Sequence, residues 1–370
     1  MQTSNSTPHA DGFWMPAEFE PHDACWMLWP ERPDNWRAGA LPAQRAFGAV
    51  AAAIARFEPV TVGVSAALYA RARASLPPRV RLVELSSDDA WMRDVGPSFL
   101  INAAGELRGV HWGFNAWGGL YRSYACDQAV GQKVLEIERA QRYRVPMINE
   151  GGAIHVDGQG TVLVTEQCLL NRNRNPSLSR RQIEAYLCRY LGASCVIWLG
   201  EGVVADETSG HIDNLACFAR PGEICLSWCA DRRDPQYRVS QDALERLMAA
   251  RDARGRRFKV HKLPSPGPLY MTRQEAAGVR RRRGSRARAA GQRLAASYVN
   301  FYLANGALIL PLLDERTDGV ARRALRRIFP RRRIIGIPAR EILLGGGNIH
   351  CITQQQPRRT RRRPSAHSER

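Results

Sequence analysis

Gly151-Gly152-Ala153-Ile154-His155 returns 195 positions later as Gly346-Gly347-Asn348-Ile349-His350. Both copies follow an apolar segment and open onto a strand-like one, as expected where one supersecondary unit is repeated around an axis. Cys351 in the second copy stands where the first has Val156, so one unit carries a reactive side chain where the other carries a structural one. Outward from these two stretches, apolar runs of strand length bounded by Gly, Pro, Asn or Asp recur at 24–29, 59–64, 80–85, 98–102, 160–165, 195–199, 223–227, 258–263, 307–311 and 334–337. Helical periodicity fills the gaps at 43–57, 125–143, 179–191, 240–253 and 319–328. This alternation predicts an α/β fold. A length of 370 residues invites division into two domains, but no Gly/Ser-rich linker cuts the pattern.

Composition is that of a globular protein, 44% hydrophobic and 24% charged. The formal net charge is +19, and all but Lys133, Lys259 and Lys262 of the 54 basic residues are arginines. The charge gathers in runs at 280–293, 322–333 and 358–370. No interleaved aromatics or nucleic-acid motif accompany them, so solvated charge is expected rather than specific nucleic-acid binding. The first twelve residues lack the basic start and apolar stretch of an export signal. The longest apolar-leaning run, 301–313, is broken by Asn305 and Gly306 and falls short of the ~20 residues that span a bilayer. Nine cysteines without a C-x-x-C pair read as reduced thiols of a cytoplasmic protein, with no zinc-ligand spacing.

Four short segments carry residues suited to chemistry. Cys351 follows three glycines, which permit close backbone approach; taken alone, a small buried strand cysteine explains it as well. His211 and Asp213 in Gly210-His211-Ile212-Asp213-Asn214 would share one face of a strand, as a general acid/base with a neighbouring anion does, although a polar surface strand would look the same. Asp94 lies between Trp91-Met92-Arg93 and Val95-Gly96-Pro97, and Glu150 precedes Gly151-Gly152; each alone is an ordinary loop acid. Together, one thiol, one imidazole and three carboxylates suit a planar cationic substrate. A guanidinium presents five N–H donors in a fork that carboxylate oxygens match, whereas amide hydrolysis calls for donors around a developing oxyanion.

The segments MPAEFEPHDACWMLWPERPDNW (15–36), WMRDVGP (91–97), FNAWGG (114–119), EGGAIHVDGQGT (150–161), DETSGHIDN (206–214), HKLPSPGPLY (261–270), SYVNFY (297–302) and GGGNIHCITQQQP (345–357) resemble bacterial and plant agmatine deiminases. The resemblance implies the pentein fold, a pseudo-fivefold α/β propeller of five ββαβ-type repeats around a central site. It also implies one catalytic domain over 15–357, between a flexible segment at 1–14 and a basic disordered tail at 358–370. It makes Cys351 the nucleophile and His211 the general acid/base, with Asp94 and Asp213 gripping the guanidinium and Glu150 holding His211 or the substrate. Trp91 and Trp117 would line the channel for the four-carbon chain, and Glu207 would receive the distal ammonium. The implied reaction converts agmatine to N-carbamoylputrescine and ammonia through an amidino-cysteine, without metal or cofactor, in a homodimer or larger homo-oligomer serving putrescine and polyamine biosynthesis. Relatives usually carry acidic or neutral residues where this chain has Arg280 to Arg288, and YRSYACD (121–127) matches poorly. Deimination of free or peptidyl arginine is the rival within the superfamily, and would need an arginine near the channel. A nucleic-acid-binding protein on an inactive scaffold is the rival outside it.

Overall fold

The computed structural model describes residues 3–359. Among them, five sheets repeat one arrangement: a strand pairs antiparallel with its successor, the chain crosses through a helix, and a third strand joins parallel to the second. The first unit comprises Ser98–Asn102, Leu107–Gly113, the helix Ala125–Ile137 and Gln141–Ile148. The second is His155–Val156, Thr161–Thr165, Arg180–Leu191 and Cys195–Leu199. The third is Ala216–Arg220, Glu223–Trp228, Gln236–Ala249 and Lys259–Pro264, and the fourth Tyr302–Ala304, Ala307–Leu312, Glu315–Ile328 and Arg333–Pro338. The fifth is shared by the two ends of the chain. Gln354–Pro357 pairs antiparallel with His22–Leu28, which runs through the helix Leu41–Ile54 to its parallel neighbour Val60–Val64. That pairing closes a ring of ββαβ units, the pentein-type fold.

The elements form where local chemistry favours them. All ten strand-length runs are strands. Arg180–Leu191 starts at a reciprocal capping box between Ser179 and Gln182, ends at Gly192 with φ 67°, and buries Ile183, Leu187 and Leu191 at four-residue spacing. The helix expected over 125–143 stops at Ile137, and Gln141–Ile148 is a strand instead. There Tyr143, Val145 and Met147 are buried while Arg144 and Pro146 are exposed, a period of two that overrides the continuing helical pattern.

Within the stretch expected to be a flexible N-terminal segment, Thr3–Ser4 pairs with the strand at 141–148 and Phe13–Trp14 with that at 98–102. Phe13 is buried against Tyr143, so residues 3–14 belong to the first sheet rather than lying free of it. Of the expected basic tail, Arg358 and Arg359 turn back towards Pro21 and Asp23; residues 360–370 lie outside the described residues.

Candidate active site

Each unit sends the segment preceding its first strand to the centre of the ring, and these segments bring Asp94, Glu150, His211 with Asp213, Asn300 and Cys351 together. His211 and Asp213 do not lie on a strand as expected. His211 precedes the single helical turn Ile212–Leu215, which contains Asp213. Both side chains nevertheless reach one place. A Cβ on Gly152 would sit 2.5 Å from His211 Nδ1, 2.9 Å from Asp94 Oδ1 and 3.0 Å from Asp213 Oδ2, so only glycine lets the three groups converge there. Likewise a Cβ on Gly347 would strike Trp91 at 2.5 Å and approach Cys351 Sγ at 3.1 Å.

The thiol of Cys351 is buried, 3.3 Å from Asn300 Nδ2 and 3.6 Å from Asp213 Oδ2. Asn300 Oδ1 also accepts from the backbone N–H of His350 at 2.9 Å, fixing the loop that carries the thiol. Burial, followed by the negative charges of Asp213 and Asp94, pushes the Cys351 thiol well above the usual thiol range. The unliganded thiol is therefore protonated at neutral pH.

His211 lies between two acids, with Nδ1 3.8 Å from Asp94 Oδ1 and Nε2 3.7 Å from Glu150 Oε2. Burial alone would favour the neutral ring, but Asp94, the Cys168 thiol and Glu150 outweigh it and hold the imidazolium well above the ordinary histidine value. Burial raises Asp94 to about 6, and Asp213 and Glu150 add to the rise; His211 and Trp117 oppose it. Trp117 Nε1 donates to Asp94 Oδ2 at 2.8 Å, and the Gly152 N–H donates to Oδ1 at 2.9 Å. Glu150 is held ionised in spite of its burial, chiefly by Arg174, whose Nε donates to Oε1 at 2.7 Å. Asp213 is likewise held below its ordinary value against burial by His350. His350 Nδ1 lies 2.9 Å from Asp213 Oδ2, and its Nε2 lies 2.8 Å from Glu18 Oε2, which Arg93 also contacts at 3.2 Å. Asp213 Oδ1 is buried and has no hydrogen-bond partner among the described residues.

Of these groups, Asp94, His211 and Cys351 line a pocket with Trp91, Trp117, Leu120, Tyr121, Glu207 and Arg288 among its walls. Trp91 is backed by Trp36, ring centroids 5.2 Å apart. Every residue singled out from the sequence borders the pocket or contacts a group that does. Glu207 does so with its carboxylate already paired to Arg288. Sequence reasoning missed Asn300, Arg174, His350 with Glu18, and Arg288. Only Asn300 had a usable signal, since SYVNFY occupies in the fourth unit the place that the other site segments occupy in theirs.

Two donor groups have the spacing of metal ligands: Glu18 with His155 and His350, and Glu150 with Cys168 and His211. In the first group the atoms have other partners: both nitrogens of His350 are engaged by Asp213 and Glu18, and His155 Nδ1 accepts from the Phe218 N–H at 3.3 Å. In the second, Arg174 binds Glu150 Oε1, while Glu150 Oε2 and His211 Nε2 have no hydrogen-bond partner among the described residues.

Ring and site define the pentein class of cysteine-dependent guanidino-group hydrolases. A family model described as Porphyromonas-type peptidyl-arginine deiminase matches residues 14–357. Agmatine deiminase of Pseudomonas fluorescens is 58% identical over 363 residues, covering 96% of this chain and 99% of the relative; that of Pseudomonas aeruginosa is 56% identical over the same span. The solved structure of agmatine deiminase of Enterococcus faecalis superimposes with a TM-score of 0.95 at 46% identity, covering 97% of this chain and 100% of that one. A C. jejuni agmatine deiminase with substrate bound matches at a TM-score of 0.81 and 27% identity over 93% of this chain and 96% of that one. The chain belongs to the agmatine deiminase family, within the Porphyromonas-type peptidyl-arginine deiminases.

Proposed function

We propose that this protein hydrolyses agmatine to N-carbamoylputrescine and ammonia through a covalent amidino-cysteine. The convergence of Asp94 and Asp213 beside the buried Cys351 thiol carries the reading, because such a centre binds a forked cation and repels anions. The bound guanidinium offsets the charges of Asp94 and Asp213 that hold the thiol proton on. The thiol then sheds its proton, and Sγ adds to the central guanidinium carbon.

His211, resting protonated, gives its proton to the nitrogen that leaves, so C–N breaks and ammonia departs. Water adds to the resulting amidino-cysteine while the now neutral His211 takes one of its protons. Collapse breaks the C–S bond and the hydroxyl proton returns to sulfur. The proton first shed by the thiol accounts for the product leaving as ammonium. Glu150, anchored by Arg174, holds His211 in place through both halves. Trp91 and Trp117 flank the methylene chain, and Glu207 receives the distal ammonium.

The proposal extends to one catalytic domain, a cytoplasmic homo-oligomer and a role in supplying putrescine. Among the described residues no helix is long and apolar enough to cross a membrane.

Ammonia release from agmatine, arginine and a peptidyl-arginine, each with and without chelator, tests the reading. Chelator-resistant turnover of agmatine alone is expected. Preferred turnover of arginine would keep the thiol chemistry and reassign the distal end, where Arg288 stands; silence on all three would remove the enzyme reading.

A further inference from the structure

The arginine-rich segment between residues 278 and 293 is not all surface. It crosses the loops beside the pocket mouth, accepting from the Ala38 N–H at Gly278 O (2.9 Å), donating from Arg280 N to Pro33 O (3.0 Å) and accepting from the Arg122 N–H at Gly284 O (3.0 Å). Arg288 then turns inward and is buried at 5% exposure. Its Nη2 donates to Asn35 Oδ1 at 2.6 Å and Gly345 O at 2.5 Å, and reaches Tyr121 Oη at 3.5 Å; its Nη1 donates to Glu207.

The contacts on Glu207 are one-sided. Arg288 Nη1, Gln292 Nε2 at 2.9 Å and the more distant Arg286 Nε at 3.8 Å all address Oε1. Oε2 receives no donor among the described residues. It faces the glycine floor, 3.1 Å from where a Cβ on Gly346 would stand, and Glu207, Gly346 and Gly347 all border the pocket. We infer that Arg288 and Gln292 form a clamp that fixes one oxygen of Glu207 and presents the other to a cationic end of the substrate, so that a segment resembling solvated charge sets specificity at the distal end. This deepens the agmatine reading and rests on it.

The geometry also bears on the rival substrate. An arginine near the channel is what capture of an α-carboxylate would require, but the Arg288 guanidinium already has Glu207, Asn35, Gly345 and Tyr121 as partners. A carboxylate reaching this end would meet the free oxygen of Glu207. An ammonium there gains a charge-assisted contact, while a carboxylate meets like charge.

The test compares agmatine with 1-butylguanidine, which has the same chain but no ammonium, in the wild type and in Arg288→Ala, Glu207→Gln, the double variant and Gln292→Leu. Wild-type kcat/KM should favour agmatine. Arg288→Ala should reduce that preference by roughly 10- to 100-fold, the range for loss of a charge-assisted hydrogen bond, mainly through KM. The reduction should largely vanish in the Glu207→Gln background, because residues acting through one contact are non-additive. Gln292→Leu, which removes one donor with little burial at stake, should lower the preference a few-fold and secures the test if Arg288→Ala folds poorly. A preference that survives Arg288→Ala and Gln292→Leu, or full additivity with Glu207→Gln, would overturn the clamp alone. Wild-type protein that turns over butylguanidine as well as agmatine would overturn the ammonium reading beneath it.

Discussion

The two ends of the pocket are built on different plans. At the reactive end, five loops from five equivalent units meet, and each supplies a group near the thiol: Asp94, Glu150, His211 with Asp213, Asn300 and Cys351. At the distal end there is no such repetition. Glu207, Arg288 and Tyr121 come from connecting segments, and a salt bridge between residues 81 positions apart completes the wall. Symmetry thus supplies a centre where backbones approach closely and carboxylates converge, while departures from symmetry supply the part proposed to distinguish one guanidinium compound from another. Defects at the first end should lower kcat; defects at the second should raise KM for substrates with a distal charge.

The largest effect expected is for Cys351→Ser. Turnover of agmatine and butylguanidine should both fall by at least ~10³-fold, as for loss of a covalent nucleophile, with unchanged circular dichroism. A variant with near-normal rates would remove Cys351 from the scheme. His211→Gln should cost about 10²- to 10⁴-fold in kcat, the span of general acid–base catalysis, again for both substrates. If its loss appeared mainly in KM for agmatine alone, the division between the two ends would not hold.

Asn300→Ala should lower kcat by roughly tenfold, since it removes one hydrogen bond to the Cys351 loop and one contact to sulfur. Single-turnover measurement of the amidino-cysteine would place that loss in formation of the adduct; a normal rate of formation would make Asn300 a packing residue only.

The smallest effect concerns pH. In the proposed role Asp94 holds the guanidinium in its ionised form, so kcat/KM should fall below about pH 6, where burial raises its pKa. Trp117 donates to the ionised form and thereby lowers that pKa, so Trp117→Phe should move the acid limb to higher pH. Whatever the change at pH 8, activity should drop by a larger factor near pH 6. An acid limb that moved down, or stayed, would separate Asp94 from it.

Much of the reactive end was legible because its chemistry is local. Glycine pairs beside Glu150 and Cys351 announce close backbone approach, and the structure shows what they approach: His211, Asp94 and Asp213 at Gly152, and Trp91 and the thiol at Gly347. His211 and Asp213 share one place not by alternation along a strand but through a single helical turn, which the short segment does not announce. Arg174 and the Glu18–His350 pair had no local mark at all. An arginine in a chain crowded with arginines, and a histidine next to a cysteine, acquire meaning only from the acids they face.

By itself, the sequence determined the alternation of strands and helices, the repeated glycine-rich loop and the inventory of thiol, imidazole and carboxylates. These follow from periodicity, backbone freedom and side-chain chemistry within a few residues. Tertiary structure alone decided that the last strand would seal against His22–Leu28, which loops would meet at the centre, and that Arg288 would leave a basic run to grip Glu207. Those outcomes depend on contacts between residues far apart in the chain, made only once the ring has closed and burial has turned a surface charge into a partnered one.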